Sequence, residues 1–219
     1  LGDNRIQSLA EDGSGNLWIG LLTSGLDQFD KKWGTFVHYR HDPANSKSLG
    51  DDRVYAILED NTGTLWVGTY VGGLNRFDRK SGTFTVYAHS DSVPTSFGGR
   101  GAWALCEDRE GNLWVGTYGG GLDRMDRSSG SFVHFKHDEK DLKTLSDDNV
   151  TCIYQDRSGV LWVGTASGLN RLDRASGTFR QYHQKDGLPN DMILGILEDG
   201  GGNLWLSTNK GIAKLDEPR

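Results

Sequence analysis

Asn112-Leu113-Trp114-Val115-Gly116-Thr117 recurs four more times in the chain with small changes. The copies are Asn16 to Leu21 (Asn-Leu-Trp-Ile-Gly-Leu), Thr64 to Thr69 (Thr-Leu-Trp-Val-Gly-Thr), Val160 to Thr165 (Val-Leu-Trp-Val-Gly-Thr) and Asn203 to Thr208 (Asn-Leu-Trp-Leu-Ser-Thr). Their tryptophans, Trp18, Trp66, Trp114, Trp162 and Trp205, stand 48, 48, 48 and 43 residues apart. A fixed period in the forties marks a repeat architecture, in which each unit is one supersecondary element that buries its apolar face on its neighbours. Five units follow, at 1–48, 49–96, 97–144, 145–187 and 188–219, and they read as one domain.

Outward from each tryptophan the unit resolves into four extended runs. The first is β-rich and ends in Asp: Ile6 to Asp12, Val54 to Asp60, Ala102 to Asp108, Val150 to Asp156 and Ile193 to Asp199. Asp-x-x-Gly then joins it to the tryptophan run as a tight hairpin, with the Asp carboxylate accepting backbone N–H groups and Gly taking the left-handed position. The tryptophan run is apolar at consecutive positions, as in Leu65-Trp66-Val67, so both its faces should be covered. A third run ends in Asp (Leu26 to Asp30, Leu74 to Asp78, Leu122 to Asp126, Leu169 to Asp173, Ile212 to Asp216). The fourth reads Thr35 to Tyr39, Thr83 to Tyr87, Ser131 to Phe135 and Thr178 to Tyr182, and the fifth unit has none. No segment shows helical periodicity over ten residues. Four antiparallel strands per unit of ~45 residues, without helices, make one blade of a β-propeller. The expected fold is an all-β propeller of five repeat units with four-stranded antiparallel blades, the last lacking its outermost strand. It either closes into a ring by face packing or forms an arc of a larger propeller.

Composition removes several functions. A net charge of −6 lacks the clustered Lys and Arg that a phosphate backbone would need, so nucleic acid is not an expected partner. No stretch approaches the ~18 to 20 consecutive apolar residues of a membrane helix, and no basic-then-apolar leader opens the chain. The chain starts inside the repeat pattern, which suggests a fragment with its targeting segment elsewhere. Cys106 and Cys152 lie in adjacent units and read as buried free thiols, with a disulfide conditional on the inner strands bringing them together.

The unit quoted best by Val54 to Asp78, and again by Ala102 to Asp126, resembles the two-component regulator propeller repeat. The resemblance covers all five units. It implies the periplasmic or extracellular sensor region of a bacterial hybrid histidine kinase or related regulator, often one controlling glycan use, held in a larger membrane-anchored protein. It brings no catalytic residue and no cofactor. Asp-x-x-Gly-x-Leu-Trp is also similar to the Asp-box hairpin of sialidases, and Gly-Asn-Leu-Trp to the streptogramin lyase propeller.

Residues present once per unit belong to the scaffold. The five repeat tryptophans are expected to pack between blades, and the hairpin acids Asp12, Asp60, Asp108, Asp156 and Asp199 to cap turns. Acid–base catalysis would need two carboxylates within ~5 to 10 Å, which residues a blade apart do not offer. His41, His89 and His137, spaced 48 and 48, should be spread around the rim, too far apart to share a zinc ion at about 2.0 to 2.1 Å. No metal site is expected.

Function belongs where the units differ. The turns from outermost to next innermost strand (41–52, 89–100, 137–148 and 184–191) and those between second and third strands should emerge on one face, around the channel. There, aligned positions read Arg5, Arg53, Gly101, Asn149, Met192 and, two residues on, Gln7, Tyr55, Trp103, Thr151, Leu194. Arg100 stands where the other units carry Asn4, Asp52, Asp148 and Asp191. Tyr70 and Tyr118 replace Leu22, Ala166 and Asn209. Arg5, Arg53, Tyr55, Tyr70, Arg100, Trp103, Tyr118 and Asn149 are therefore the candidate ligand-binding residues. Such a mouth suits an anionic or sugar ligand through stacking, cation–π contact and bidentate hydrogen bonds, unless the same residues simply fill the channel and cap turns. The rival functions are a lyase or glycan hydrolase acting at the mouth and a protein–protein interaction scaffold using the open edge of the fifth unit.

Overall fold

The computed structural model describes residues 1–215. Blade 1 holds β1 (Ile6–Glu11), β2 (Leu17–Leu21), β3 (Leu26–Asp30) and β4 (Thr35–Tyr39). Blade 2 holds β5 (Val54–Glu59), β6 (Leu65–Thr69), β7 (Leu74–Asp78) and β8 (Thr83–Tyr87). Blade 3 holds β9 (Ala102–Glu107), β10 (Leu113–Thr117), β11 (Leu122–Asp126) and β12 (Ser131–Phe135). Blade 4 holds β13 (Val150–Gln155), β14 (Leu161–Thr165), β15 (Gly168–Asp173) and β16 (Thr178–Tyr182). Blade 5 holds β17 (Ile193–Glu198), β18 (Leu204–Thr208) and β19 (Gly211–Leu215). Each blade is an antiparallel meander in chain order, and one 3₁₀ turn at Gln184–Asp186 is the only helical element among the described residues. The architecture expected from the repeat is the one observed. Asp216, the last residue of the expected third run of the fifth unit, lies outside the described residues.

The core lies between blades. Trp18 and Leu26 of blade 1 pack on Val54, Leu65, Val67, Phe77 and Phe84 of blade 2. Blade 2 repeats this on blade 3 through Trp66, and blade 3 on blade 4 through Trp114. Trp162 does the same on blade 5. Each of these tryptophans is further covered by the last aromatic of its own outer strand, with ring centroids 5.8 Å apart for Trp18–Tyr39, 6.1 Å for Trp66–Tyr87, 5.7 Å for Trp114–Phe135 and 6.0 Å for Trp162–Tyr182. The fifth tryptophan departs from the expectation. Trp205 is 40% exposed, against at most 3% for the other four, because no later blade packs on blade 5 and no outer strand covers it among the described residues. On the opposite end of the series Leu9 and Phe36 of blade 1 are exposed. The first and last blades thus do not bury each other as neighbouring blades do.

Polar groups pin the same seams. The hairpin carboxylates cap backbone N–H groups as expected, and they also accept the indole N–H six residues on: Trp18 to Asp12 (2.8 Å), Trp66 to Asp60 (2.7 Å), Trp114 to Asp108 (2.6 Å), Trp162 to Asp156 (2.8 Å) and Trp205 to Asp199 (2.9 Å). Arginines of the following blade reach back to the same carboxylates, Arg79 to Asp12, Arg127 to Asp60 and Arg174 to Asp108. The first-strand acids Glu59, Glu107 and Glu198, with Gln155, accept the backbone N–H just after the preceding blade's Asp. These one-per-unit residues are therefore seam clamps.

Burial alone would raise the hairpin carboxyls. The indole, side-chain amide or hydroxyl, and backbone N–H donors outweigh it and hold Asp12, Asp60, Asp108 and Asp156 below the usual carboxylate range. A carboxyl depressed by folding contributes stability above its unfolded pKa, about 3.9, and that contribution is lost as pH falls toward the lower folded value. Melting temperature is accordingly expected to drop steeply below about pH 4. A melting temperature unchanged from about pH 6 to pH 3 would contradict the clamp.

Cys106 and Cys152 are free, as read from the sequence, though as residues they are half-buried rather than fully buried. Burial pushes their thiols up to about 11 and about 12. Native protein should therefore react with an exposed-thiol reagent far more slowly than unfolded protein. Prompt labelling of both thiols in the folded state would contradict this burial.

Candidate functional site

The inner strands β1, β5, β9, β13 and β17 pack on one another in series and so face the axis. Each carries a β-bulge at its start. In blade 2, Val54 pairs with Thr69 and Ala56 with Gly68, leaving Tyr55 opposite nothing. In blade 3, Trp103 is skipped between Ala102 and Ala104, and in blade 4 Thr151 is skipped between Val150 and Cys152. Gln7 and Leu194 fall at the same place. A bulge frees one residue from the ladder and turns its side chain away from the pleat. The position that varies most between units is thus the one the backbone re-aims.

The second turns lie at the same end of the blades. The N–H groups of Leu22, Tyr70, Tyr118 and Ala166 donate to the carbonyls of Arg5, Arg53, Gly101 and Asn149. Blades 1 to 4 therefore each tie their turn residue to the residue just before their inner strand. The face inferred from sequence is assembled in this way.

Five of the eight candidate residues converge. Trp103 stacks on Tyr118 (4.5 Å between centroids, 7° between planes), on Tyr70 (5.9 Å, 13°) and on Tyr55 (5.6 Å, 19°). Tyr70 also stacks on Tyr118 at 5.7 Å. The Arg53 guanidinium lies 4.4 Å from the Tyr70 ring centroid, an approach favoured by the ring quadrupole. Its orientation is fixed by a bidentate pair with Asp51, Nε to Oδ1 at 2.9 Å and Nη2 to Oδ2 at 2.8 Å. Asp51, which sequence reading passed over, is thus the residue that aims Arg53.

This close packing requires glycine at 101. A Cβ there would sit 1.8 Å from the Tyr70 carbonyl oxygen, so any other residue would push blades 2 and 3 apart at the mouth. Gly99 is also confined, since a Cβ there would sit 2.5 Å from the Thr117 side chain. Between them Arg100 donates its backbone N–H to the Tyr118 carbonyl, and among the described residues its guanidinium has no hydrogen-bond or ion-pair partner. Asp52, Asp148 and Asp191, its counterparts, each cap the first backbone N–H of their loop. Blade 3 gives up that cap for a free cation.

The remaining candidates stand outside the stack. Arg5 pairs with Asp3 and Thr23 at blade 1. Asn149 occupies the position of Arg53 in blade 4, and its Nδ2 is held by Asp147 at 2.9 Å. Two buried polar atoms at this end have no protein partner, Trp103 Nε1 and Asn149 Oδ1. Such atoms are uncommon, and each calls for an explanation. No group of three or more His, Cys, Asp or Glu able to hold a metal occurs among the described residues. His41, His89 and His137 each direct Nδ1 to a loop carbonyl, of Leu49, Phe97 and Leu145.

Among solved structures, the chain is similar to the extracellular domain described as a hybrid two component system, BT3049 of B. thetaiotaomicron (TM-score 0.70, 24% identity, 97% of this chain and 33% of that one). It is also similar to the extracellular domain of BT4673 from the same organism, described as a one component system (TM-score 0.61, 21% identity, 99% of this chain and 34% of that one). A third similar structure is virginiamycin B lyase of Staphylococcus aureus (TM-score 0.69, 15% identity, 98% of this chain and 71% of that one). At these identities the likeness establishes the fold alone. The chain spans about a third of the length of the two B. thetaiotaomicron domains. No curated protein matches it in sequence. The family model for the two component regulator propeller matches residues 1–22, 48–71, 96–119, 144–167 and 187–210, one stretch at each blade. With that repeat found in all five blades and over more than half of its length, the chain belongs to the two component regulator propeller family.

Proposed function

We propose that this chain is the ligand-recognition part of a bacterial two-component sensor, and that its ligand is an acidic oligosaccharide held at the axial mouth. The observation that carries the reading is the convergence of Arg53, Tyr55, Tyr70, Trp103 and Tyr118, all departures from the repeat, on one bulge-built stack. Aromatic faces take the apolar faces of sugar rings, and two donor groups of blade 3 have no partner among the described residues: the buried Trp103 Nε1 and the exposed guanidinium of Arg100, whose backbone N–H is tied to the Tyr118 carbonyl. Donors without partners favour an acceptor-rich ligand, and a carboxylate matches the guanidinium fork. Asn149 Oδ1 adds one acceptor for a sugar hydroxyl.

A hydrolase or lyase reading draws less support. Two carboxylates at this end, Asp51 and Asp147, are committed to Arg53 and Asn149. The sensor role places the chain outside the cell, as a segment of a larger membrane-anchored protein. That placement is supported by the family and by neighbours that are extracellular domains. A ligand that binds only the folded state adds about 2.7 kcal/mol of stability at a hundred times its Kd. A thermal-shift screen should therefore find uronate-bearing oligosaccharides raising the melting temperature where neutral ones do not. Equal shifts with neutral sugars, or none with any, would remove the acidic-sugar reading.

A further inference from the structure

Each of the first two seams seats one guanidinium in a cradle of two carboxylates. In the first, Arg79 donates from Nη1 to Asp12 Oδ2 at 2.9 Å and from Nη2 to Glu59 Oε1 at 2.8 Å. In the second, Arg127 donates from Nη1 to Asp60 Oδ2 at 3.1 Å and from Nη2 to Glu107 Oε1 at 2.8 Å. Other groups set the cradle. The indole N–H holds the hairpin carboxylate, and the backbone N–H just after it holds Oε2 of the glutamate. The third seam has Gln155 in place of the glutamate, and Arg174 turns to Asp108 and Glu110 instead, at 2.9 and 3.0 Å.

The fourth seam repeats the acids and anchors of the first two. Asp156 Oδ2 accepts the Trp162 indole N–H at 2.8 Å, and Glu198 Oε2 accepts the Arg157 backbone N–H at 2.8 Å. No arginine among the described residues bridges the pair, and Glu198 Oε1 receives no donor from them, although the Glu198 side chain is only 5% exposed. A carboxylate buried to that degree is costly unless donors or a cation meet it. The repeat puts Glu217 where the other units carry Arg79, Arg127 and Arg174; residue 217 lies outside the described residues. Arg157 is the nearest cation, but its Nη1 donates to the Gly200 carbonyl and its Nε stands 4.0 Å from Glu198 Oε2. Arg171 stands opposite Trp162 with interactions of its own. The third seam has Arg109 and Arg124 at these two places and still seats Arg174, so neither arginine excludes a further cation.

The two acids line a cavity of about 690 Å³ whose apolar wall is Val160, Trp162, Leu204 and Leu215. In the other seams Phe84, Phe132 and Phe179 of the outer strand belong to the core beside the tryptophan. Blade 5 has three strands among the described residues, so no such ring covers this wall. We propose that the cavity binds a small guanidine or amidine, its planar cation in the Asp156–Glu198 cradle and its hydrocarbon or aryl body on the apolar wall. A planar fork with two donor nitrogens matches the two carboxylates as Arg79 and Arg127 match theirs, which a single ammonium point charge does not. The site lies at the hairpin end of the blades, opposite the second turns and the mouth, and takes a ligand of the opposite charge. It does not depend on the sugar reading.

Calorimetry of the intact chain with benzamidine tests this site. One-to-one binding is expected, and benzyl alcohol, a similar ring without the charge, should bind at least about tenfold more weakly. That comparison uses the unaltered chain. Glu198→Gln should also weaken benzamidine by about tenfold or more. It is expected to fold, because Gln155 shows that glutamine at this position still accepts the backbone N–H of the preceding blade. The mouth variant Trp103→Ala/Arg53→Ala should bind benzamidine as the parent does. No binding at millimolar benzamidine, equal affinity for benzyl alcohol, or unchanged affinity in folded Glu198→Gln would overturn the inference. Benzamidine binding lost in the mouth variant would overturn it too, by moving the cation to the other end of the blades.

Discussion

Trp114→Ala is expected to destabilise the protein by about 3–5 kcal/mol, while Trp205→Ala, the same substitution in the same motif, is expected to cost less than half as much. The two residues share their hairpin, their bond to an Asp six residues earlier and their place in the second strand. They differ in what lies on the ring. Trp114 is 2% exposed and packs on Val150, Leu161 and Val163 of blade 4 beneath the Phe135 ring, whereas Trp205 is 40% exposed. Removing Trp114 leaves a cavity between two blades and strands Asp108 without its indole donor, though Arg174 remains 2.9 Å away. Denaturant unfolding of the two variants checks this. Equal losses would mean that the motif stabilises each blade from within, and that seam packing is not what holds the blades together.

The second large effect concerns binding. Trp103→Ala with Arg53→Ala is expected to lower affinity for a uronate-bearing oligosaccharide at least a hundredfold by calorimetry, on the order of 3 kcal/mol. Trp103 is the hub of the stack and Arg53 is the cation on its flank. Neither residue belongs to the four inter-blade cores, so the double variant should still fold, melting below the parent protein because Trp103 also stacks on Tyr55 and Tyr70 of blade 2. Asp51→Ala should give a smaller loss, because it frees the Arg53 fork without removing it. Unchanged affinity in the double variant would remove the mouth as the binding site.

The scaffold was legible because repetition states it five times. Trp18, Trp66, Trp114 and Trp162 could be placed between blades from the period alone, since a residue present once per unit serves the unit. The same logic misplaced Trp205, because burial depends on the neighbour and not on the motif. It also left the seam chemistry unread. Nothing in the spacing of Asp108 and Trp114 says that a carboxylate accepts an indole proton, or that Arg174 from the following blade completes the contact. At the mouth, unlikeness between units was the signal, and it pointed to Tyr55, Tyr70, Trp103 and Tyr118 before their contact was visible. It could not show that a bulge re-aims these positions, nor that Arg5 faces Asp3 at blade 1 while Arg53 faces Tyr70. The loop histidines were judged only as metal ligands, and each instead directs Nδ1 to a loop carbonyl, which a period of 48 residues does not reveal.

The most direct measurement is a crystal structure of the protein grown with a uronate-bearing oligosaccharide. Density for one sugar ring is expected against the Trp103–Tyr118 stack, with its carboxylate within hydrogen-bonding distance of the Arg100 guanidinium and an oxygen on Trp103 Nε1. Sugar bound at the outer rim or in a seam between blades, with the bulge residues unchanged from the free protein, would contradict it.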